Sequence, residues 1–335
     1  MTKNCYVIAE AGLNHNGSMS MAKQLIDVAA DACADAVKFQ KRHVATLAIA
    51  PVLNARDERF PSLGATYREI RESLEFTFGQ YQELKSYVET KGMDFLCTAF
   101  DQMSVDFLAE LDVYGYKLAS HSNTNLPLLR YVASIGKPVF LSTGACTVEE
   151  LDDAVHLFKS AGTKLTILHC VSSYPTPEDQ MNLAMIDFYR CRYAVPVGYS
   201  GHEHGYIPTV AAVALGAVAI ERHFTLDKGL PGFDHKLSLE PDELKAMIQD
   251  IRSVESAIGT VEFGIVSGES VTRDKYKVSM VSNQDIVKGR LITDQLVTYK
   301  NPGTGIHPRD AERVIGKKAI TDIAEDTLIK PDMVG

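Results

Sequence analysis

The chain has 335 residues, 45% hydrophobic and 23% charged, with a formal net charge of -9 at pH 7. That length exceeds what one small core fills and predicts a large domain with a smaller companion. Charges of both signs are interspersed without a basic stripe, which argues against a nucleic-acid partner, and no run approaches the ~20 apolar residues of a membrane span.

Taken in chain order, short apolar runs recur at 5–12 ("CYVIAEAG"), 36–40 ("AVKFQ"), 94–100 ("DFLCTAF") and 115–120 ("GYKLAS"). Four more follow at 138–144 ("PVFLSTG"), 165–170 ("LTILHC"), 195–201 ("VPVGYSG") and 217–224 ("AVAIERHF"). Their near-continuous apolarity is that of strands buried on both faces. Amphipathic stretches such as "SMSMAKQLIDVAADA" and "TVEELDDAVHLFKSAG" lie between them, the second with Thr147 as a helix N-cap. Eight such alternations predict an α/β fold, a (β/α)8 TIM barrel over residues 1–259. An open dinucleotide-binding sheet would need a GxGxxG turn after its first strand, where this chain reads "EAGLNHNG". An insertion at 41–78, rich in charged and turn-forming residues, is expected to form a lid or rim.

Beyond the helix-like "PDELKAMIQDIRSVESAIG", residues 260–276 have the Gly/Ser/Thr content of a linker. Three strand-like runs, "KVSMVSNQDI", "RLITDQLVTYK" and "RVIGKKAITDI", then predict a small, mostly β module at 277–335. So small a module is marginal in burying a core and gains from packing on another surface. The six cysteines form no CxxC pair and are expected as reduced, buried thiols. The opening "MTKNCYVIAEAG" lacks the roughly 7–15-residue apolar segment of a signal peptide, so a cytoplasmic location is expected.

In a βα barrel the loops at the carboxyl ends of the strands build the active site. Those ends carry Glu10, Asn14 and His15; Lys38 and Gln40; Thr98; Lys117, Ser120 and His121. The second half of the ring adds Ser142 and Thr143; His169, Ser172, Ser173 and Tyr174; Ser200 and His202; Glu221 and His223. Lysines inside barrel strands need partners. Lys38 and Lys117 are expected as anion ligands rather than internal ion pairs, completing with the hydroxyls a cage for a phosphate and a carboxylate. His202 and His223 end adjacent strands and are expected to share one divalent cation, for which manganese, cobalt or zinc suits nitrogen better than magnesium. His169, after five apolar residues, is expected as a core hydrogen-bonder, and His204 is not expected as a ligand. Glu10 has two readings, a functional acid or a partner of Lys38.

The phrases "IAEAGLNHNGS", "AVKFQK", "YKLAS", "LSTGACT", "HCVSSYPTP", "VGYSGHE", "ERHFTLDK" and "DHKLSLEPDEL" resemble, in order, the sialic acid synthase family. Members of that family condense phosphoenolpyruvate with an N-acyl-mannosamine-type sugar. Residues 277–335 resemble the antifreeze-like (SAF-type) domain that ends such synthases. The resemblance implies a manganese ion, with magnesium or cobalt as alternatives, on His202 and His223, which with Glu10 form the catalytic set. It implies phosphoenolpyruvate on Lys38, Thr98, Lys117, Ser120, Ser142, Ser172 and Ser200, and the sugar against Tyr174, Glu221, Asp234 and Asn301. It further implies a cytoplasmic homodimer in which the C-terminal module closes the partner's barrel.

The chain departs from that pattern in three places. Asn301 precedes Pro-Gly where many members carry Arg, Ala119-Ser120-His121-Ser122 replaces a usual Gly-Ser-Gly-acid, and Ser172 replaces a frequent Asn. The resemblance implies N-acetylneuraminate as the first product, and these departures on the sugar side keep legionaminate, pseudaminate or a deaminated analogue as alternatives. Two rival classes remain. A metal-dependent barrel hydrolase commonly has His-x-His at the end of strand 1, where Asn14-His15-Asn16 stands. A saccharide-binding module without catalysis would not need paired lysines and histidines.

Overall fold

The computed structural model describes residues 4–335, in two compact units, one ending at Gly259 and one spanning Thr260–Gly335. The first is a closed barrel of β1 (Tyr6–Gly12), β2 (Ala36–Lys41), β3 (Asp94–Ala99), β4 (Tyr116–Leu118), β5 (Val139–Ser142), β6 (Leu165–Cys170), β7 (Val197–Gly201) and β8 (Ala219–His223). Each strand pairs in parallel with the next, and β8 returns to β1 with Glu10 opposite His223. All eight expected runs contain a strand.

Side chains alternate between the two faces of a strand. Val7, Ala9, Val37, Phe39, Phe95, Leu141, Ile167 and Ile220 point into the shell shared with the surrounding helices. The opposite set, Ile8, Ala36, Leu96, Phe140, Leu168 and Ala219, forms a separate apolar cluster that fills the barrel interior. Two residues further along the same strands stand Glu10, Lys38, Thr98, Ser142, Cys170 and Glu221. The strand period thus changes the barrel interior from an apolar floor to a polar layer within one step.

The helices start where the sequence marks them. Ser18 caps Met19–Asp31 through the Met21 amide, and Thr147 and Glu150 form a reciprocal capping box at Val148–Ser160. The 41–78 insertion folds into two one-turn helices and a helix at Tyr67–Ser73. Its Ile70, Leu74, Phe60 and Leu63 cluster with Leu13, which follows β1, and Phe233, which follows β8. That contact makes the insertion a wall on the carboxyl rim.

In the second unit β9 (Ser279–Ser282) and β10 (Val297–Lys300) pair antiparallel. The third expected run gives no continuous strand. Gly316 turns the chain at φ 86°, and Lys318, Ala319 and Ile323 each make an isolated bridge to a different segment. The segment expected as a linker contains a helix, Ser270–Tyr276. Ten buried residues from Met280 to Ile329 give this unit a core of its own. Cys5, Cys97 and Cys170 are buried as expected, but Cys33 and Cys191 are exposed, the first just beyond one helix and the second on another. No described helix is long and apolar enough to cross a membrane.

Candidate active site

Register places the polar layer. Glu10 lies opposite Lys38 on one side and His223 on the other, Thr98 opposite Lys117, and Ser200 opposite Glu221. The Lys38 ammonium, 1% exposed, sits 2.6 Å from Glu10 Oε2 and donates to Thr98 Oγ1 at 2.7 Å. Glu221 lies between the two lysines, 3.4 Å from Lys117 Nζ and 3.7 Å from Lys38 Nζ, and accepts from Ser200 Oγ at 3.0 Å. Gln40 donates to Glu10 Oε1 at 2.6 Å.

Both lysines therefore stand beside internal carboxylates, a pairing the expectation had set aside, and both also line the cavity described below. The cause is elementary, since a buried ammonium without a carboxylate would cost several kcal/mol. For Glu10, the pairing with Lys38 is the contact observed. Burial works against the charge of Lys38, but Glu10 and Glu221 outweigh it and hold its pKa above the ordinary lysine value. At Lys117 burial prevails, only partly offset by Glu221, and the pKa is lowered. Burial would raise the Glu221 carboxyl, yet Lys117 and Lys38 hold it below the usual carboxylate range.

Above this layer the rings of His202 and His223 face each other with centroids 5.4 Å apart, and the Tyr174 ring lies 4.1 Å from His202. The Val171 carbonyl is 3.1 Å from His202 Nδ1, which fixes the tautomer and leaves Nε2 bare. Burial, then the neighbouring His223, lower the His202 pKa to about 3, so the ring is neutral. His223 Nδ1 is buried without a hydrogen-bond partner among the described residues and lies 3.7 Å from Asp234 Oδ2. Among the described residues no three His, Cys, Asp or Glu side chains stand close enough to form a complete protein cage for a metal.

On the β5 side, Ser120 Oγ accepts from the Gly144 amide at 2.9 Å. A Cβ at Gly144 would meet Ser120 Oγ at 2.6 Å and would also strike Ser172 Oγ. The glycine is what lets these two hydroxyls approach the backbone. Ser142 Oγ is buried and unpartnered among the described residues.

Glu10, Lys38, Thr98, Lys117, Ser120, Ser142, Ser172, Tyr174, Ser200, His202, Glu221, His223 and Asp234 all line one cavity of about 490 Å³. Asn301 is an exposed residue of the second unit, just after β10. Of the other strand-end residues, His15 packs on Phe76 and Asn14 donates to the Phe224 carbonyl, so both are structural. His169 lies 2.7 Å from the Met181 carbonyl, the core role expected of it, and His204 is exposed and does not line the cavity. His121 does line it, and so do Arg42, Arg71 and Phe233, which sequence reasoning missed. Arg42 was within reach, because it continues the inward-facing alternation Lys38, Gln40, Arg42. Arg71 and Phe233 lie far from any strand end and carried no such signal.

The NeuB family model matches residues 25–263 and the SAF domain model residues 277–335. The chain is 36% identical to human N-acetylneuraminate-9-phosphate synthase, over 98% of this chain and 92% of the relative. It is 38% identical to N,N'-diacetyllegionaminic acid synthase of Campylobacter jejuni, over 98% and 99%. Among solved structures, the N-acetylneuraminic acid synthetase of Leptospira borgpetersenii superposes with a TM-score of 0.71 at 33% identity, covering 81% of this chain and 90% of that one. With its barrel, its C-terminal module and relatives that match over nearly their full length, the chain belongs to the NeuB family.

Proposed function

We propose that the protein is a nonulosonic acid synthase. It would join C3 of phosphoenolpyruvate to the aldehyde carbon of an open-chain N-acylmannosamine-type sugar and release inorganic phosphate. The observation that carries this is one cavity above the barrel floor, lined by two buried lysines and strand-end hydroxyls with two facing imidazoles over them. Relatives named for N-acetylneuraminate phosphate and diacetyllegionaminate synthesis support the class, and N-acetylneuraminate is the product we favour.

Charge supports a divalent cation as well. Lys38 and Lys117 are balanced by Glu10 and Glu221, so the layer is near neutral and a phosphoenolpyruvate anion needs further positive charge. His202, with Nε2 free, and His223, with a buried unpartnered nitrogen, fit a borderline ion such as manganese, with substrate or water completing the coordination. Such an ion supplies Lewis-acid polarisation of a carbonyl oxygen.

The chain's own groups do the rest. Lys38 and Lys117, with Thr98, Ser120, Ser142, Ser172 and Ser200, grip the phosphate and carboxylate of phosphoenolpyruvate and stay organised through the reaction. Attack by C3 on the aldehyde carbon leaves positive character at C2, and the aldehyde oxygen takes a proton from solvent water. Water adds at C2, and phosphate departs with its bridging oxygen by C–O cleavage. Glu10, held by Lys38 and Gln40, positions that water and takes up its proton. Tyr174, Glu221 and Asp234 orient the sugar. The C-terminal module, with Asn301, acts in a homodimer by closing the partner's barrel and keeping solvent out.

Incubation with manganese, phosphoenolpyruvate and a panel of hexosamines, following phosphate release, tests the proposal. Release only in the presence of a sugar is expected. Sugar-independent release would point to a hydrolase, and no release with any sugar would leave a binding module.

A further inference from the structure

We propose that a buried ion pair outside the cavity, Arg222 with Glu203, is a clasp that sets the span between the His202 and His223 rings, so that both are positioning residues for the metal. This rests on the proposed function, in which the two imidazoles hold the cation, and adds what holds the imidazoles. Gly201 stands opposite Arg222 in the last registered pair of β7 and β8, so His202 and His223 are the next residues along the two segments. Strand alternation sends the Arg222 side chain away from the barrel axis. Neither Arg222 nor Glu203 lines the cavity, and neither is placed to touch substrate.

The guanidinium is spread over four acceptors. Its Nη1 donates to Glu203 Oε1 at 2.5 Å and to Thr209 Oγ1, on the helix Ile207–Ala214, at 2.7 Å. Its Nη2 donates to the backbone carbonyls of Glu203 at 2.9 Å and Gly205 at 2.8 Å. Glu203 also accepts from Thr209 Oγ1 at 2.6 Å and from the Tyr199 hydroxyl at 2.9 Å. A side chain rooted on β8 therefore grips the loop after β7 at two carbonyls, immediately beyond His202. The Thr176 amide holds the His202 carbonyl itself, at 3.0 Å. A Cβ at Gly201 would meet Glu203 Oε2 at 2.4 Å, so the glycine before His202 lets the carboxylate fold back against the strand end.

Stability alone is a weak account of this pair. Arg222 is fully buried and Glu203 is 1% exposed, and a buried ion pair is on balance no more stabilising than apolar residues of similar volume. What the pair offers over apolar packing is direction, because the planar fork fixes several acceptors at once. The imidazoles need that direction. Their centroids are 5.4 Å apart, and among the described residues no third His, Cys, Asp or Glu side chain completes a cage that would fix a cation between them. Their span has to be set from behind, by groups that orient the ligands.

The test titrates manganese chloride alone into the metal-free full chain by calorimetry, and reads KM for phosphoenolpyruvate separately at saturating manganese. In Arg222→Lys, which keeps the charge and loses the fork, the manganese Kd should rise about 10- to 100-fold, the scale seen for groups that orient metal-binding histidines. KM for phosphoenolpyruvate should stay unchanged. Glu203→Gln/Arg222→Met, which leaves no buried charge unpaired, should keep native circular dichroism and show the same rise in Kd. A manganese Kd equal to that of the unsubstituted protein in either folded variant overturns the inference and leaves the synthase function standing. A comparable rise in KM for phosphoenolpyruvate also overturns it, because the pair then supports the whole rim. Loss of native circular dichroism in both variants overturns it by making the pair a requirement of the fold. If the unsubstituted protein binds no manganese, the metal in the proposed function and this inference fall together.

Discussion

A lysine ammonium inside a barrel strand persists only beside a carboxylate, and Lys38 and Lys117 each have one. Replacing one partner strands the other. Lys38→Met should lower the unfolding free energy by ~3–5 kcal/mol in urea titration, because Glu10 is left buried and charged. The Lys38→Met/Glu10→Gln double variant should recover part of that loss while remaining inactive. His202→Ala and His223→Ala should each abolish turnover and weaken manganese binding measured by calorimetry; unchanged turnover in either would remove the imidazole pair from the mechanism. At this scale much of the cavity was legible, because β topology alone brings strand-end residues to one rim. The ion pairing of the lysines was not, since it depends on which carboxylates share the layer in register. Glu221 was not legible as the carboxylate between the two lysines, only at the rim, from its phase with His223 two residues on. Arg222 between them points the other way and pairs with Glu203 at 2.5 Å, fully buried.

Elements follow the sequence where local signals agree with tertiary packing. Near-continuous apolar runs form the eight strands, and Thr147 with Glu150 marks a helix start from local sequence alone. Thr147→Ala should cost ~1 kcal/mol in thermal or urea unfolding and leave catalysis intact. The loop after β5 behaves differently. Gly144→Ala should fold, because the intrusion is on two serine hydroxyls rather than on backbone. It should nonetheless cut kcat/KM for phosphoenolpyruvate roughly tenfold or more by displacing Ser120 and Ser172. The elements that stayed illegible are those whose order comes from elsewhere in the chain. The helix Tyr67–Ser73 is held by Leu13 and Phe233, and the run 313–323 is divided among three bridging partners around Gly316. No window centred on either segment contains its partners.

For the whole molecule, the two units bury separate cores. A chain stopped at Gly259 is expected to keep cooperative unfolding and barrel-like circular dichroism, yet to lose most of its turnover if the C-terminal module acts as a lid in a dimer. Normal turnover by that truncated chain would dismiss the lid. The seam between β1 and β8 has a further consequence. Glu10 and His223 meet across it, 213 positions apart in the numbering. Such a junction carries a high contact order, which slows folding. On the ribosome, the constellation stays unassembled until the eighth strand has emerged, and fragments cut anywhere between the two should be inert alone and regain turnover only when mixed.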